Sequence, residues 1–257
     1  MKQLKLTIIL SLLTALFSSN LTFAILSDEE LREYEYMDKI ARESDPSATS
    51  GKGSNYHDYT KVYSKYFAPI RNKRIKLLEI GVFEGNGVKM WEQYLPNADL
   101  HFVDITFAYL KYFSLRSKYY LANQENPVDL TRVVIEAGGN FDVIIDDGGH
   151  TMNQQLVSFH TLFPHVKNGG MYIIEDLHTS YWKAYGGNGT PEAPLAGPNT
   201  FIGFLKNLID DVNYVGARTY KANHDLMSPE LKNSLGIYQR EIESIHFYDS
   251  LCIIIKR

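Results

Sequence analysis

The sequence predicts an α/β fold: a mostly parallel sheet with interleaved helices, closed by an antiparallel C-terminal hairpin. Three observations carry this expectation. Short β-branched apolar runs alternate with segments of helical spacing from residue 76 to residue 175. The last two runs, 243–248 and 251–256, are separated only by Asp249-Ser250, the spacing of a hairpin. Two further runs end 29 residues apart in paired carboxylates, Asp146-Asp147 and Glu175-Asp176. Ligands of open α/β sheets sit just beyond such strand ends.

The elements follow in order. Residues 27–46 read as a helix whose first-turn acids, Asp28, Glu29 and Glu30, suit its positive end. The polar stretch from Ser44 to Ser54, with Pro46, Gly51 and Gly53, ends that helix in a loop. Tyr59, Val62, Tyr63 and Tyr66 recur at helical spacing, an aromatic face expected to pack on the sheet. Strands are expected at 76–80, 99–104, 119–123, 141–146 and 171–175, with helices at 87–94, 128–137 and 152–163. Gly197-Pro198-Asn199 opens a helix expected to run to Asp211. Residues 180–199 are rich in Gly, Pro and Tyr without a period, and a loop that long in a compact domain usually serves as a lid.

At 257 residues the chain suits one α/β domain, expected over 25–257 with its core at 50–256. A formal charge of −4 gives no electrostatic push toward nucleic acid. The single cysteine, Cys252, lies in a terminal apolar run and reads as a buried structural thiol. Two lysines precede a 21-residue uncharged run, Leu6 to Leu26, with a small-residue cleavage pattern at Thr22-Phe23-Ala24. Residues 1–24 therefore read as a signal peptide or an uncleaved membrane anchor, placing the body of the protein in the secretory pathway. Asn188-Gly189-Thr190 is a glycosylation sequon, a triplet that also arises often by chance.

The loop Glu79-Ile80-Gly81-Val82-Phe83-Glu84-Gly85-Asn86-Gly87 joins the first strand to its helix. Phe83 stands where the dinucleotide fingerprint needs its second glycine, which argues against a nicotinamide cofactor. The form acid-x-Gly-x-x-x-Gly is instead typical of S-adenosylmethionine (SAM) enzymes. Glu79, Gly81, Gly85 and Asp146 are candidate cofactor contacts. So is Asp104, which ends strand two 25 residues after Glu79 and is placed to accept from ribose hydroxyls. The alternative for Glu79 is a loop-bracing carboxylate, and for Asp104 a helix cap.

Carboxylates crowded at two neighbouring strand ends are costly unless a cation sits among them. Asp147, Glu175 and Asp176 are hard oxygen ligands of the kind Mg²⁺ prefers, and His178 is a further candidate. A metal there would hold adjacent hydroxyls and lower the pKa of one. His150, three residues after Asp147, suits the general base. The alternatives are a capping role for Asp146 or Asp147 and a structural role for His150. His101, His160 and His165 read as structural, without acidic partners in the sequence.

These residues together resemble the macrocin and mycinamicin type of sugar O-methyltransferase. The likeness rests on Asp146-Asp147-Gly148-Gly149-His150, on Glu175-Asp176 and on Thr179-Ser180-Tyr181-Trp182-Lys183-Ala184-Tyr185-Gly186-Gly187. It extends to Leu78-Glu79-Ile80-Gly81, Met90-Trp91, Tyr94-Leu95-Pro96 and the run from Ser158 to Gly170, covering about residues 50–187. The resemblance implies a Rossmann-like class I fold with a seven-stranded sheet, and a SAM- and Mg²⁺-dependent O-methyltransferase. Asp147, Glu175 and Asp176 would be its metal ligands and His150 its base. The family's Ser/Thr-Asp-Lys-Gly-Ser loop has Gly51 here in place of Asp, a departure that bears on Lys52 and Ser54 closing over the cofactor. The mycinamicin enzyme's extra N-terminal domain is not expected, and an export signal departs from a cofactor made in the cytosol. The expected partner is a small hydroxyl acceptor, a glycoside or other vicinal diol. The rivals are a catechol-like phenol and a secreted binding protein without turnover.

Overall fold

The computed structural model describes residues 26–48, 51–189, 193, 195–220 and 223–257. The expected signal or anchor segment, 1–24, and Thr190 of the sequon lie outside the described residues. Among those described, no helix is long and apolar enough to cross a membrane.

Helix α1 (Asp28–Ser44) starts where expected, because Ser27 and Glu30 form a reciprocal cap. The Ser27 hydroxyl accepts from the Glu30 N–H at 3.2 Å, and the Glu30 carboxylate accepts from the Ser27 N–H at 2.9 Å. Helices α2 (Thr60–Phe67), α3 (Asn86–Tyr94), α4 (Pro127–Ala137) and α5 (Met152–Leu162) also fall where the spacing predicts. Helix α6 (Phe201–Thr219) is longer than expected. Thr200 caps it, and no breaker beyond Asp211 stops it, since Gly216 is tolerated inside a helix. Two short helices, α7 (Pro229–Ser234) and α8 (Ile237–Glu241), lead into the hairpin.

The strands are β1 (Lys76–Ile80), β2 (Asp99–Asp104), β3 (Lys118–Leu121), β4 (Phe141–Asp146), β5 (Val166–Ile174), β6 (Ile242–Tyr248) and β7 (Leu251–Lys256). They form one seven-stranded sheet, β3-β2-β1-β4-β5-β7-β6, parallel through β5, with β7 antiparallel to both neighbours. This is the Rossmann-like arrangement with a C-terminal hairpin that the sequence predicts. Strand β5 begins earlier than expected, through a register shift opposite Phe141–Val143 that absorbs Gly169-Gly170.

Alternation along each strand supplies both cores. Leu77, Ile145, Ile173 and Ile253 pack with Met37, Phe67 and Trp91 on the α1–α3 face. Leu78, Ile144, Ile174 and Ile254 pack with Leu130, Phe159 and Leu205 on the α4–α6 face. Cys252 is wholly buried, as expected, and burial pushes its thiol up. His101, expected to lack an acidic partner, has Asp99 at 3.1 Å beside its Nε2.

Truncating Ile253→Ala removes a fully buried side chain and should cost about 2–5 kcal/mol. In urea titrations the midpoint should fall with the slope unchanged. Leu115→Ala, at a side chain 92% exposed, should stay within about 0.5 kcal/mol of the parent.

Candidate active site

Register delivers the site. Ile80, Asp146 and Ile174 are hydrogen-bonded neighbours across β1, β4 and β5. The residues that follow, Gly81, Asp147 and Glu175, therefore leave the sheet side by side. This is the switch point of a doubly wound sheet, where β2 and β3 lie to one side of β1 and β4 to the other. A cavity of ≈ 480 Å³ opens there, lined by Glu79, Gly81, Asp104, Asp147, His150, Glu175 and Asp176 among others. Its volume is that of a small-molecule or cofactor site.

The carboxylates divide into two groups that share Asp147. The inner group is Glu79, Asp147 and Glu175, and the outer group is Asp147, His150 and Asp176. In each, the candidate ligand atoms lie within 4.8 Å of one another. The expected trio of Asp147, Glu175 and Asp176 is thus brought to one cavity but spread over both groups.

A cation does sit in the inner group, and it is Lys52. Its Nζ lies 2.5 Å from Asp147, 2.7 Å from Glu175 and 3.0 Å from Glu79. Burial works against its charge, but Asp147, Glu175 and Glu79 outweigh it and hold the ammonium well above the ordinary lysine range. Burial pushes Glu175 well up and Glu79 up, and repulsion from Asp147 adds to both. The Tyr63 hydroxyl also donates to Glu175 at 2.5 Å. The aromatic face read from the sequence is buried as expected, yet two of its hydroxyls reach the site. The second belongs to Tyr59, which donates to Asp176 at 2.6 Å.

The outer group is held by backbone placement. His150 and Asp176 both adopt left-handed φ, +58° and +55°, uncommon away from glycine. The Thr179 hydroxyl reaches both carbonyls, at 3.0 Å for His150 and 2.8 Å for Asp176. His150 Nε2 stands 3.5 Å from Asp176, while its Nδ1 is buried without a hydrogen-bond partner among the described residues. His57 approaches the other Asp176 oxygen at 3.7 Å. Burial pulls Asp176 upward, but His150, the Tyr59 hydroxyl and His57 hold it below the usual carboxylate range. The two carboxylates of this group, Asp147 and Asp176, are oxygen donors of the kind a hard divalent cation takes, and the His150 imidazole stands beside them. His178 turns away: its Nδ1 meets the Ser250 hydroxyl, and its ring meets Trp182 edge-on.

The glycine loop is pressed against this cluster. Gly81 has φ +96°, and a Cβ there would collide with the Asp147 carbonyl oxygen. Asp104 is expected to face a ribose, and it lines the cavity while bracing the loop. One of its oxygens accepts from Val82 N–H at 2.7 Å and Phe83 N–H at 3.1 Å, and the other from Thr106 N–H at 3.0 Å. Gly85 caps α3 from a left-handed conformation.

Asp146 is the residue the structure places elsewhere. The sequence suggests a cofactor contact at Asp146, but its side chain is wholly buried on the α5 face of β4 and is not among the residues lining the cavity. Ser158 and Gln124 donate to it, and Gln124 in turn accepts from Gly149 N–H at 3.0 Å. Asp146 braces the turn that carries His150. Burial pushes it up to about 6 against those two donors.

No family model matches the chain. It is 34% identical over 216 residues to the 8-demethyl-8-(2-methoxy-alpha-L-rhamnosyl)-tetracenomycin-C 3'-O-methyltransferase of Streptomyces olivaceus, covering 80% of this chain and 51% of that protein. It is 35% identical over 202 residues to the L-olivosyl-oleandolide 3-O-methyltransferase of Streptomyces antibioticus, covering 76% and 50%. The solved methyltransferase from the mycinamycin biosynthetic pathway, in complex with Mg, SAH and mycinamycin VI, superposes with a TM-score of 0.69. Identity there is 30%, over 84% of this chain and 53% of that one. Over the shared region, this chain is a homologue of the macrocin and mycinamicin type of sugar O-methyltransferase. It spans about half the length of the curated relatives it matches.

Gly81→Ala should destabilise the fold by about 2 kcal/mol or more, since both φ and the Asp147 carbonyl oppose a side chain. Gly216→Ala, with open space inside α6, should raise the urea midpoint by up to about 1 kcal/mol in stability. Opposite signs in the two titrations check the argument.

Proposed function

We propose that this chain is a SAM- and divalent-metal-dependent O-methyltransferase acting on a hydroxyl of a sugar or other vicinal diol, with His150 as general base. One observation carries the reading. An imidazole is held against Asp147 and Asp176 in the wall of the same cavity that the Gly81–Gly87 loop lines. The relatives support the substrate class, since each is named for O-methylation of a sugar-bearing product. Mg and SAH accompany the solved neighbour.

The residues divide the work. Glu79, Gly81 and Asp104 line the part of the cavity assigned to SAM, with Gly85 turning the chain behind them. Asp147, Glu175 and Asp176 would hold the cation. When bound, SAM supplies a methyl group on a positively charged sulfur, and the cation polarises a hydroxyl and lowers its pKa. His150 Nε2 takes the proton of the acceptor hydroxyl as that oxygen gains the methyl group. The Asp176 carboxylate, 3.5 Å away, stabilises the imidazolium that results. Trp182, about half exposed, and Tyr185 offer aromatic faces on which a sugar or phenol ring can rest.

Incubation with methyl-labelled SAM, Mg²⁺ and a panel of glycosides and catechols should transfer label to a glycoside, and a chelator should abolish it. His150→Ala should lower turnover at least ~100-fold while SAM affinity stays within about threefold. Equal loss of turnover and SAM binding would mark His150 as structural.

A further inference from the structure

Lys52 occupies the place that charge and donor chemistry assign to a metal. The Lys52 ammonium donates to Asp147 and Glu175 and forms an ion pair with Glu79 at 3.0 Å. Asp147 and Glu175 are among the proposed metal ligands, and they are its two shortest partners. Mg²⁺ coordinates oxygen at about 2.0–2.1 Å. An oxygen already accepting from an ammonium at 2.5–2.7 Å would bring two positive centres into contact range.

The loop that carries Lys52 is anchored independently of this ion pairing. Ser54 donates to Asp38 through its N–H at 2.6 Å and its hydroxyl at 2.7 Å, and the Lys52 carbonyl accepts from Thr60 N–H at 3.1 Å. Gly51 and Gly53, on either side, pack too tightly against Asp45, Asn55 and Arg42 for a Cβ. These contacts fix backbone. The four-carbon lysine stem can therefore change rotamer while the loop stays in place, and the cavity it lines has room for the displaced head.

We propose that the Lys52 ammonium and the divalent cation are alternative partners for Asp147 and Glu175, so that metal entry drives the Lys52 head out of the inner group. This rests on the metal-dependent reading above. Lys52 then acts as a positioning residue. It gathers the three carboxylates before the metal arrives, and it sets how tightly the metal is held.

The test uses the full chain and Mn²⁺ alone, followed by electron paramagnetic resonance and calorimetry. Lys52→Met should bind Mn²⁺ at least tenfold more tightly than the parent, and Lys52→Arg, which keeps the charge, no more tightly than the parent. In the parent protein, mass-spectrometric labelling with an amine reagent should find Lys52 protected in EDTA and at least fivefold more reactive with saturating Mn²⁺. Equal or weaker Mn²⁺ binding by Lys52→Met, or reactivity that does not rise, would overturn the inference while leaving a metal site in place. Failure of parent and variants alike to bind Mn²⁺ would instead overturn the metal-dependent reading itself. Labelling needs no variant, so a Lys52→Met protein that does not fold still leaves a decisive measurement.

Discussion

Negative charge buried without compensation is the constraint on which this structure is arranged. Glu79 and Glu175 are almost wholly enclosed, and Asp147 stands between them. Isolated carboxylates in such a setting protonate rather than stay charged. What permits the cluster is a set of donors aimed into it: the Lys52 ammonium and the Tyr63 hydroxyl inside, the Tyr59 hydroxyl and two imidazoles outside. Lys52, His57, Tyr59 and Tyr63 come from the loop before α2 and from α2 itself, and only His150 from the turn after β4, so the segment N-terminal to β1 is part of the site. It closes the cavity over the strand tips and supplies their counter-charge.

The sheet explains why the acids are there at all. Strand β4 pairs with both β1 and β5, so a loop leaving any one tip meets the other two. The glycines are a consequence of that crowding. Gly81 clears the Asp147 carbonyl, while Gly148 and Gly149 leave room for the amides of Gln124 and Gln154. Gln124 links the turn to buried Asp146, so the backbone that presents His150 is tied into the sheet.

Much of this was legible because it is local. The helix starts, the strand alternation and the C-terminal hairpin follow from periodicity and capping, and every strand but β5 lies close to its expected bounds. Asp147, His150, Glu175 and Asp176 could be named because each follows a strand end directly. Lys52 was different: it stands 95 residues from Asp147 and 123 from Glu175, in a short Gly-Lys-Gly loop whose pattern indicates no ligand. Only the family likeness singled it out. Tyr59 and Tyr63 were read by their rings, and helical spacing carries no information about where a hydroxyl ends. Asp146 lies off the cavity wall, and parity accounts for it. It shares a strand face with Ile144, and that face packs on α4 and α5, away from Asp147.

The backbone at His150 and Asp176 carries the argument one step further. Two non-glycine residues in the left-handed region cost of order 1–3 kcal/mol each. A loop serving only as a connection would have settled on glycine there, as the chain does at Gly81 and Gly85. Instead a single hydroxyl, Thr179, reaches the carbonyls of both strained residues, which arise on different strands 26 residues apart. The two backbones are therefore fixed relative to one another as well as to the sheet. A structural histidine needs no such registry with a carboxylate on another loop. The general base proposed at His150 does.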